Sequence, residues 1–295
     1  MKPTQILNRI ESYKEYSKKI SDYEKHIKFM VGKPGMPMPL RVMIVSGDKG
    51  VGKTYKANEV LRKQKIRKYK IVSGSLSAVQ LYKFMWEHPD EIIVLDDVNS
   101  ILQDAKDGAS LLKAATDSYS VRTLSWQKQN PNCIGVNKFN LEDNDAIADK
   151  MTEIAKRNKR LELAHEAGKT FPDMFFFTGS LIILTNKPLS AIDKVTEGAV
   201  SNRGWHQEML FTVDGALDLI KNVAETMTEF GGSPIQKKTI NKTVKFLTSK
   251  ESVRYMKSNG KLPTIRTLGK LALECEDGQV LDADALANNT EAPAY

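Results

Sequence analysis

One eight-residue stretch constrains this chain more than any other: Gly47-Asp48-Lys49-Gly50-Val51-Gly52-Lys53-Thr54. It fits the pattern G-x-x-x-x-G-K-[ST], whose glycines let successive backbone N–H groups turn inward around phosphate oxygens. An apolar, β-branched run at residues 41–46 precedes it, and residues 54–65, without Gly or Pro, follow it. A buried parallel strand and a helix are therefore expected on its two sides. The stretch predicts a nucleotide-phosphate loop in which Lys53 reaches the β/γ-phosphates and the Thr54 hydroxyl binds Mg²⁺.

The composition bounds the class of protein. A chain of 295 residues with 41% hydrophobic and 27% charged residues is long enough for one large globular domain and a smaller one. No apolar run approaches the length of a membrane span, and residues 1–5 open no signal-peptide pattern. Cys133 and Cys275 lie far apart and the four histidines are scattered, so no metal-ligand cluster is expected. We expect a reduced cytoplasmic protein without a membrane contact, in the host cytoplasm if the source is a virus.

Two further apolar runs end in polar residues, as strands that line a ligand site do. Residues 91–97, Glu-Ile-Ile-Val-Leu-Asp-Asp, predict a buried strand that presents an acid to Mg²⁺ at its carboxyl end. Residues 180–186, Ser-Leu-Ile-Ile-Leu-Thr-Asn, predict a second such strand. If that strand lies beside the strand at residues 41–46, Asn186 would sit next to the γ-phosphate. The alternative is a strand followed by a simple Thr-Asn turn.

The chain divides into four regions by pattern. Residues 1–33 predict an amphipathic helical segment, and residues 34–214 predict the α/β nucleotide-binding domain. Residues 215–275 turn helical and predict a smaller domain, while residues 276–295 carry acids without Lys or Arg and predict a partly disordered tail. A charged helix is also expected at residues 144–168. It is interpreted as a solvated surface helix, with a face toward nucleic acid or a neighbouring subunit as the alternative.

The order of these features resembles that of the AAA+ ATPases over roughly residues 39–275. That order is a phosphate loop, an Asp-Asp strand, a Thr-Asn strand, an arginine after a short helix, and a helical lid. The chain is similar in particular to phage-type AAA family ATPases, in which a Phe-x-Gly segment, here Phe177-Thr178-Gly179, leads into the Thr-Asn strand. The resemblance implies an AAA+ type P-loop fold, a parallel sheet flanked by helices with a C-terminal helical lid. It also implies ATP and Mg²⁺ as cofactors, ATP hydrolysis, and a ring oligomer, hexameric or of another number.

The resemblance also implies a role for each site residue. Asp96 would hold the Mg²⁺ shell, and Asp97 occupies the place of the usual catalytic glutamate. Asn186 matches sensor 1, which orients the attacking water. Arg203 matches the arginine finger, which reaches the γ-phosphate of the adjacent subunit, and Arg266 matches sensor 2 on the lid.

Each of these assignments has a competitor. Arg203 could instead be a surface residue near a helix end, and Arg266 could cap the surface of the helical domain. Arg122, at the start of another predicted strand, competes for the finger role. Asp97 is one methylene shorter than glutamate, so Asp96 or a water relay could share its role.

Basic residues gather at residues 14–33, 62–70 and 237–261, and the formal net charge is +8. Such clusters favour nucleic-acid binding without sequence specificity. Residues 126–130 with Lys138 are the candidate channel loop. Residues 74–77, Gly-Ser-Leu-Ser, lack the aromatic-hydrophobic-Gly pore loop of protein-unfolding AAA+ machines. We therefore expect a DNA-associated ring motor or loader in replication or genome handling. The alternatives are a protein remodeller or chaperone for a partner complex, and a slow ATP-dependent assembly switch.

Overall fold

The computed structural model describes residues 9–126, 133–134 and 171–294. Its strands are β1 (Val42–Gly47), β2 (Tyr69–Ser73), β3 (Ile92–Asp96), β4 (Arg122–Ser125), β5 (Cys133–Ile134), β6 (Phe171–Pro172), β7 (Met174–Phe177), β8 (Ser180–Thr185), β9 (Trp205–Met209), β10 (Glu229–Phe230) and β11 (Ser233–Pro234). Its helices are α1 (Tyr13–Val31), α2 (Lys53–Lys63), α3 (Ala78–Glu87), α4 (Asn99–Gln103), α5 (Asp107–Ala115), α6 (Leu189–Thr196), α7 (Val213–Thr226), α8 (Lys237–Leu247), α9 (Lys250–Ser258), α10 (Ile265–Glu276) and α11 (Ala283–Asn289). A 3₁₀ turn spans Ser201–Arg203.

A five-stranded sheet in the order β2-β3-β8-β1-β9 forms the centre of the fold. Every neighbouring pair in it is parallel, with Ile44 opposite Ile183 and Val94 opposite Ile182. β1 and β8 are buried along their whole length, as parallel strands covered on both faces must be. The predicted fold class is confirmed: a P-loop type parallel sheet flanked by helices, with a helical C-terminal region. Because β8 lies between β3 and β1, the carboxyl ends of these three strands lie side by side at one edge of the sheet.

The two faces of the sheet face separate apolar cores. Val42 and Ile44 of β1 point into one core with α3, α4 and α5, whereas Met43 and Val45 point into the other with α1 and α2. Ser12 is the N-cap of helix α1, and its hydroxyl accepts the Glu15 N–H. It buries Tyr23, Ile27 and Met30 against the second core.

Several predicted elements differ from the observed ones. The strand expected at residues 122–126 does not join the main sheet, because β4 pairs antiparallel with β7 in a separate two-stranded sheet. Helix α4 has no counterpart in the sequence-based expectations, whereas α9 lies within residues 215–275, which are expected to be helical. The predicted helix at residues 144–168, together with residues 127–130 and Lys138 of the channel loop, lies outside the described residues.

The C-terminal helices α7 to α10 enclose a third apolar core, which includes Leu217, Ile240 and Leu268. The expectation of a disordered acidic tail is wrong for residues 276–294. Asp282 caps α11 by accepting the Ala285 N–H, and Leu286 is buried in the third core. Glu291 then forms an isolated antiparallel bridge with Leu262. Within the described residues, no helix is long and apolar enough to cross a membrane.

Candidate nucleotide-binding site

The phosphate loop follows β1 and needs its glycines for two physical reasons. Gly47, Gly50 and Gly52 have φ angles of 134°, 64° and 86°, in the region that favours glycine. A Cβ atom on Gly47 would lie 2.1 Å from the Met209 carbonyl oxygen, so no other residue fits there. Gly52 is also the N-cap of α2 and has no side chain to cap it, so the helix N-terminus stays open to an anion.

Lys53 lies at the centre of the site and is 7% exposed. Its Nζ donates to the carbonyl oxygens of Gly47 at 2.8 Å and Asp48 at 2.7 Å, and to Asn186 Oδ1 at 2.9 Å. Burial lowers the pKa of Lys53 to about 8, and the nearby carboxylate of Asp97 opposes that shift. A phosphate would therefore meet an ammonium group that is held in place and poorly solvated.

Thr54 and Asp96 form the oxygen pair expected for a divalent cation. The Thr54 hydroxyl donates to Asp96 Oδ1 at 2.8 Å, and both side chains are partly buried. A hydroxyl and a carboxylate are the hard donors that Mg²⁺ accepts alongside water and phosphate oxygens. The donor set fits the predicted metal, and the two residues that would hold it are already adjacent.

Asn186 joins Lys53 to Asp97. Its Nδ2 donates to Asp97 Oδ1 at 2.9 Å and Oδ2 at 3.2 Å, while its Oδ1 accepts from Lys53. Asp97 is exposed and adopts a φ of 54°, a conformation that a non-glycine residue holds only when its surroundings fix it. The Leu184 carbonyl, which accepts the Asp97 N–H at 2.9 Å, provides part of that support. The Asp97 carboxylate is thereby aimed at Asn186.

Asp48 has a structural role that the sequence did not reveal. It is 1% exposed, and its two carboxylate oxygens accept backbone N–H groups from distant segments. Oδ2 accepts the Phe211 N–H at 2.7 Å, and Oδ1 accepts the Ala294 N–H at 2.8 Å. The motif carried no signal for this, because position 48 is one of its variable positions.

Arg122 is buried and engaged within its own subunit. It is 3% exposed, and its guanidinium lies 4.9 Å from the centre of the Phe177 ring. Burial is the main cause that lowers its pKa. Its nitrogens donate to the carbonyl groups of Ala115, Tyr119, Ser120 and Gly179. Arg122 is thus a packing residue, unavailable to a neighbouring subunit.

Arg203 and Arg266 lie in different surroundings. Arg203 Nη1 donates to the Lys113 carbonyl at 2.5 Å, and Nη2 lies 3.8 Å from Asp117 Oδ2. Neither partner belongs to the phosphate loop.

Arg266 is exposed in the first turn of α10, whose N-cap Thr264 sits against Gly50 of the loop. Burial is the main cause that lowers the pKa of Lys53, and the charge of Arg266 contributes in the same direction.

Comparisons with known proteins give limited matches. No protein-family model matches the chain. Over 92 residues it is 35% identical to an uncharacterized 36.7 kDa protein in the nrdC-mobD intergenic region of Enterobacteria phage T4. That match covers 30% of this chain and 28% of the phage protein.

Similar solved structures include the Aeropyrum pernix ORC1 protein in complex with DNA, at 13% identity and a TM-score of 0.44. They also include the replication initiator DnaA bound to AMPPCP and single-stranded DNA, at 14% and 0.39, and the A. pernix ORC2 protein, at 11% and 0.37. The matches cover 92%, 91% and 96% of this chain, and 64%, 62% and 70% of those chains. The chain spans less than two thirds of the ORC1 and DnaA chains.

Proposed function

We propose that this chain is a Mg²⁺-dependent ATP hydrolase of the AAA+ type, working as a ring oligomer on nucleic acid in replication or genome handling. One observation carries the proposal. Lys53, Thr54, Asp96 and Asn186 converge at the carboxyl ends of β1, β3 and β8 as two hydrogen-bonded pairs, Lys53 with Asn186 and Thr54 with Asp96. Open α/β sheets bind ligands at that edge.

Each member of this cluster can act on a triphosphate. Lys53 would exchange the two loop carbonyl acceptors for phosphate oxygens, which compensate its charge far better. Thr54 and Asp96 would hold Mg²⁺, which when bound neutralises charge on the β- and γ-phosphates. Asn186 would orient a water molecule beside Asp97, which would accept its proton. The four roles need no rearrangement of the sheet.

The site is proposed to be completed by a neighbouring copy of the chain. Arg203 contacts Lys113 and Asp117 rather than the phosphate loop, and it keeps 30% of its side chain exposed. Its 3.8 Å approach to Asp117 is a weak surface contact, so a neighbour's γ-phosphate could displace it. This supports Arg203 as the arginine finger, and a finger that acts in trans requires self-association. Arg266 on the lid is proposed to contact the phosphates within its own subunit.

The test is steady-state ATP hydrolysis by purified protein, with Lys53→Ala as the site variant and Lys49→Ala as its control. Lys49 lies in the same loop but is exposed, and Glu291 is 3.7 Å away. We expect Lys53→Ala and removal of Mg²⁺ by EDTA each to abolish turnover, whereas Lys49→Ala retains most of it. The proposal would be overturned if the Lys53→Ala protein, and the wild-type protein in EDTA, both hydrolysed ATP at the normal wild-type rate.

A slow assembly switch is the second candidate function. Asp97 stands in the place of a longer catalytic glutamate, and both of its oxygens are engaged by Asn186. That arrangement favours slow hydrolysis and a long-lived ATP state. Light scattering with ATP and with a non-hydrolysable analogue separates the two candidates. Equal assembly with both nucleotides and negligible turnover would favour the switch.

A further inference from the structure

Helices α8 and α9 carry most of the chain's excess positive charge. Residues 237–261 contain eight Lys or Arg residues and a single acid, Glu251, so this stretch has a net charge of +7. The whole chain has a formal net charge of +8. Attraction for a polyanion is therefore concentrated on this part of the helical region rather than spread over the protein.

On each helix the cations form a stripe along the face that points away from the core. The stripe on α8 is Lys238, Lys242 and Lys245, and that on α9 is Lys250, Arg254 and Lys257. In both cases the spacing is i, i+4 and i+7, which places three residues on one helix face. The opposite faces are buried, through Ile240 and Leu247 on α8 and Met256 on α9. Each stripe is about 10 Å long, or roughly three steps of a nucleic-acid strand.

Most of these cations have no acid partner within the described ranges. Lys257 pairs with Asp214 at 2.7 Å, and Lys237, beside the first stripe, donates to the carbonyl groups of Ala224 and Glu225. Among residues 9–126 and 171–294, no carboxylate forms an ion pair with the remaining five stripe cations. Those five residues, which we call the lid surface, are Lys238, Lys242, Lys245, Lys250 and Arg254.

The first of the two other basic regions of the chain differs in this respect. On α1, Lys25 pairs with Asp22 at 3.2 Å and Lys28 with Glu24 at 2.8 Å. Part of the charge of α1 is therefore neutralised by acids on the same helix.

In the second region, Lys63 pairs with Glu59 at 2.5 Å, and Arg67 donates to backbone carbonyls, among them that of Val31 at 3.2 Å. The remaining cations there surround a turn and an edge strand instead of following one helix face. Of the three basic regions, the lid surface has the most regular spacing of cations, and the smallest share of its charge is neutralised by described acids.

The side chains that line the surface beside α9 are mainly cations and hydroxyls, and none of them is an aromatic ring. A groove of about 650 Å³ is lined by Thr248, Lys250, Val253, Arg254, Lys257 and Ser258. The aromatic residues of the two helices, Phe246 and Tyr255, pack against the core of the helical region. Both rings are partly buried there and are not fully exposed as the stacking platforms that proteins binding single-stranded nucleic acid use.

We infer that the lid surface binds the phosphate backbone of duplex DNA without reading its sequence. This inference rests on the proposed action on nucleic acid and specifies where the contact is made. Because the lid surface lies on α8 and α9 and the nucleotide site lies at the sheet edge, the two sites can be disabled separately.

The test compares two triple variants that lose the same charge. K242Q/K245Q/R254Q changes the lid surface, and R62Q/K65Q/K68Q changes exposed cations of the second basic region. Binding of a fluorescent 20-base-pair duplex, and of one of its single strands, is followed by anisotropy between 50 and 200 mM salt. We expect the lid variant to lose at least about tenfold in duplex affinity at 0.1 M salt. Its slope of log affinity against log salt should fall by about two to three, while the control variant stays within about threefold of wild type.

The outcomes separate this inference from the proposed function. Equal losses in the two variants would overturn the inference, because binding would then follow net charge alone. Loss of single-strand binding with duplex binding unchanged would also overturn it. If the wild-type protein binds neither nucleic acid at 50 mM salt while hydrolysing ATP, the inference fails together with the nucleic-acid part of the proposed function, and the ATPase assignment stands. Turnover without DNA should be unchanged in both variants.

Discussion

Replacing Asp48 tests whether the phosphate loop is held in place by its own buried carboxylate. In Asp48→Ala, the N–H groups of Phe211 and Ala294 lose their acceptors. Phe211 starts the connection from β9 to the helical region, and Ala294 lies at the end of the C-terminal segment. The substitution would therefore loosen the contact between the loop and both segments.

The expected cost follows from the burial of each partner. Phe211 is 1% exposed, so its N–H would stay unsatisfied, which costs about 1–3 kcal/mol. Ala294 is partly exposed and water can replace the carboxylate there, which limits that loss to about 1 kcal/mol. We expect Asp48→Ala to lower the free energy of unfolding by about 2–4 kcal/mol. Asp48→Asn keeps one carbonyl acceptor and should lose about half as much.

Urea unfolding followed by tryptophan fluorescence measures these differences. Lys49→Ala is the matched control, because its surface pair with Glu291 contributes at most about 1 kcal/mol. Removal of residues 291–295 eliminates the hydrogen bond between Asp48 and the Ala294 N–H. Asp48→Ala should therefore lower the free energy of unfolding less in the truncated protein than in the full chain. If Asp48→Ala and Lys49→Ala unfold at the same urea concentration, the reasoning about the carboxylate is wrong.

Two further substitutions test whether Arg122 stabilises the fold and whether Asp97 takes part in ATP hydrolysis. Arg122→Met should lower the free energy of unfolding by roughly 3–5 kcal/mol, because four carbonyl groups lose their donors; a loss below about 1 kcal/mol in urea unfolding would contradict its assignment as a packing residue. Asp97→Gly relieves the φ of 54° but adds conformational freedom to the unfolded chain and removes the hydrogen bonds from Asn186, so the free energy of unfolding should stay within about 1 kcal/mol of wild type. The same variant should lower kcat by on the order of 10²-fold, and full turnover would exclude Asp97 from the reaction.

The elements that could be predicted are those whose burial is visible in the local pattern of apolar and polar residues. Strands covered on both faces read as continuous apolar runs, so β1, β3 and β8 were recognised, and the polar residues at their ends marked the ligand edge. The pairing of β8 with β1 then placed Asn186 beside Lys53, at 2.9 Å. A strand pattern does not name its partner, which is why β4 was recognised but its pairing with β7 was not.

Features that depend on backbone partners could not be predicted. Asp48 and Arg122 are satisfied by N–H and C=O groups from distant segments, and every residue except proline offers both. Arg122 therefore looked as available as Arg203. In the C-terminal segment the acidic composition predicts disorder, yet two residues stabilise α11. These are Asp282, which is its N-cap, and Leu286, which is buried.

The central claim is that the nucleotide site is shared between neighbouring copies of this chain, and a mixing experiment tests it most directly. Arg203→Ala and Lys53→Ala proteins are each assayed for ATP hydrolysis alone and then together over a range of ratios. Each variant should be inactive alone, and Arg203→Ala should still bind ATP. Mixing should restore activity, because an intact phosphate loop can then meet an intact Arg203 from its neighbour. Mixtures that form mixed oligomers yet remain inactive at every ratio, or an Arg203→Ala protein that no longer binds ATP, would contradict the shared site.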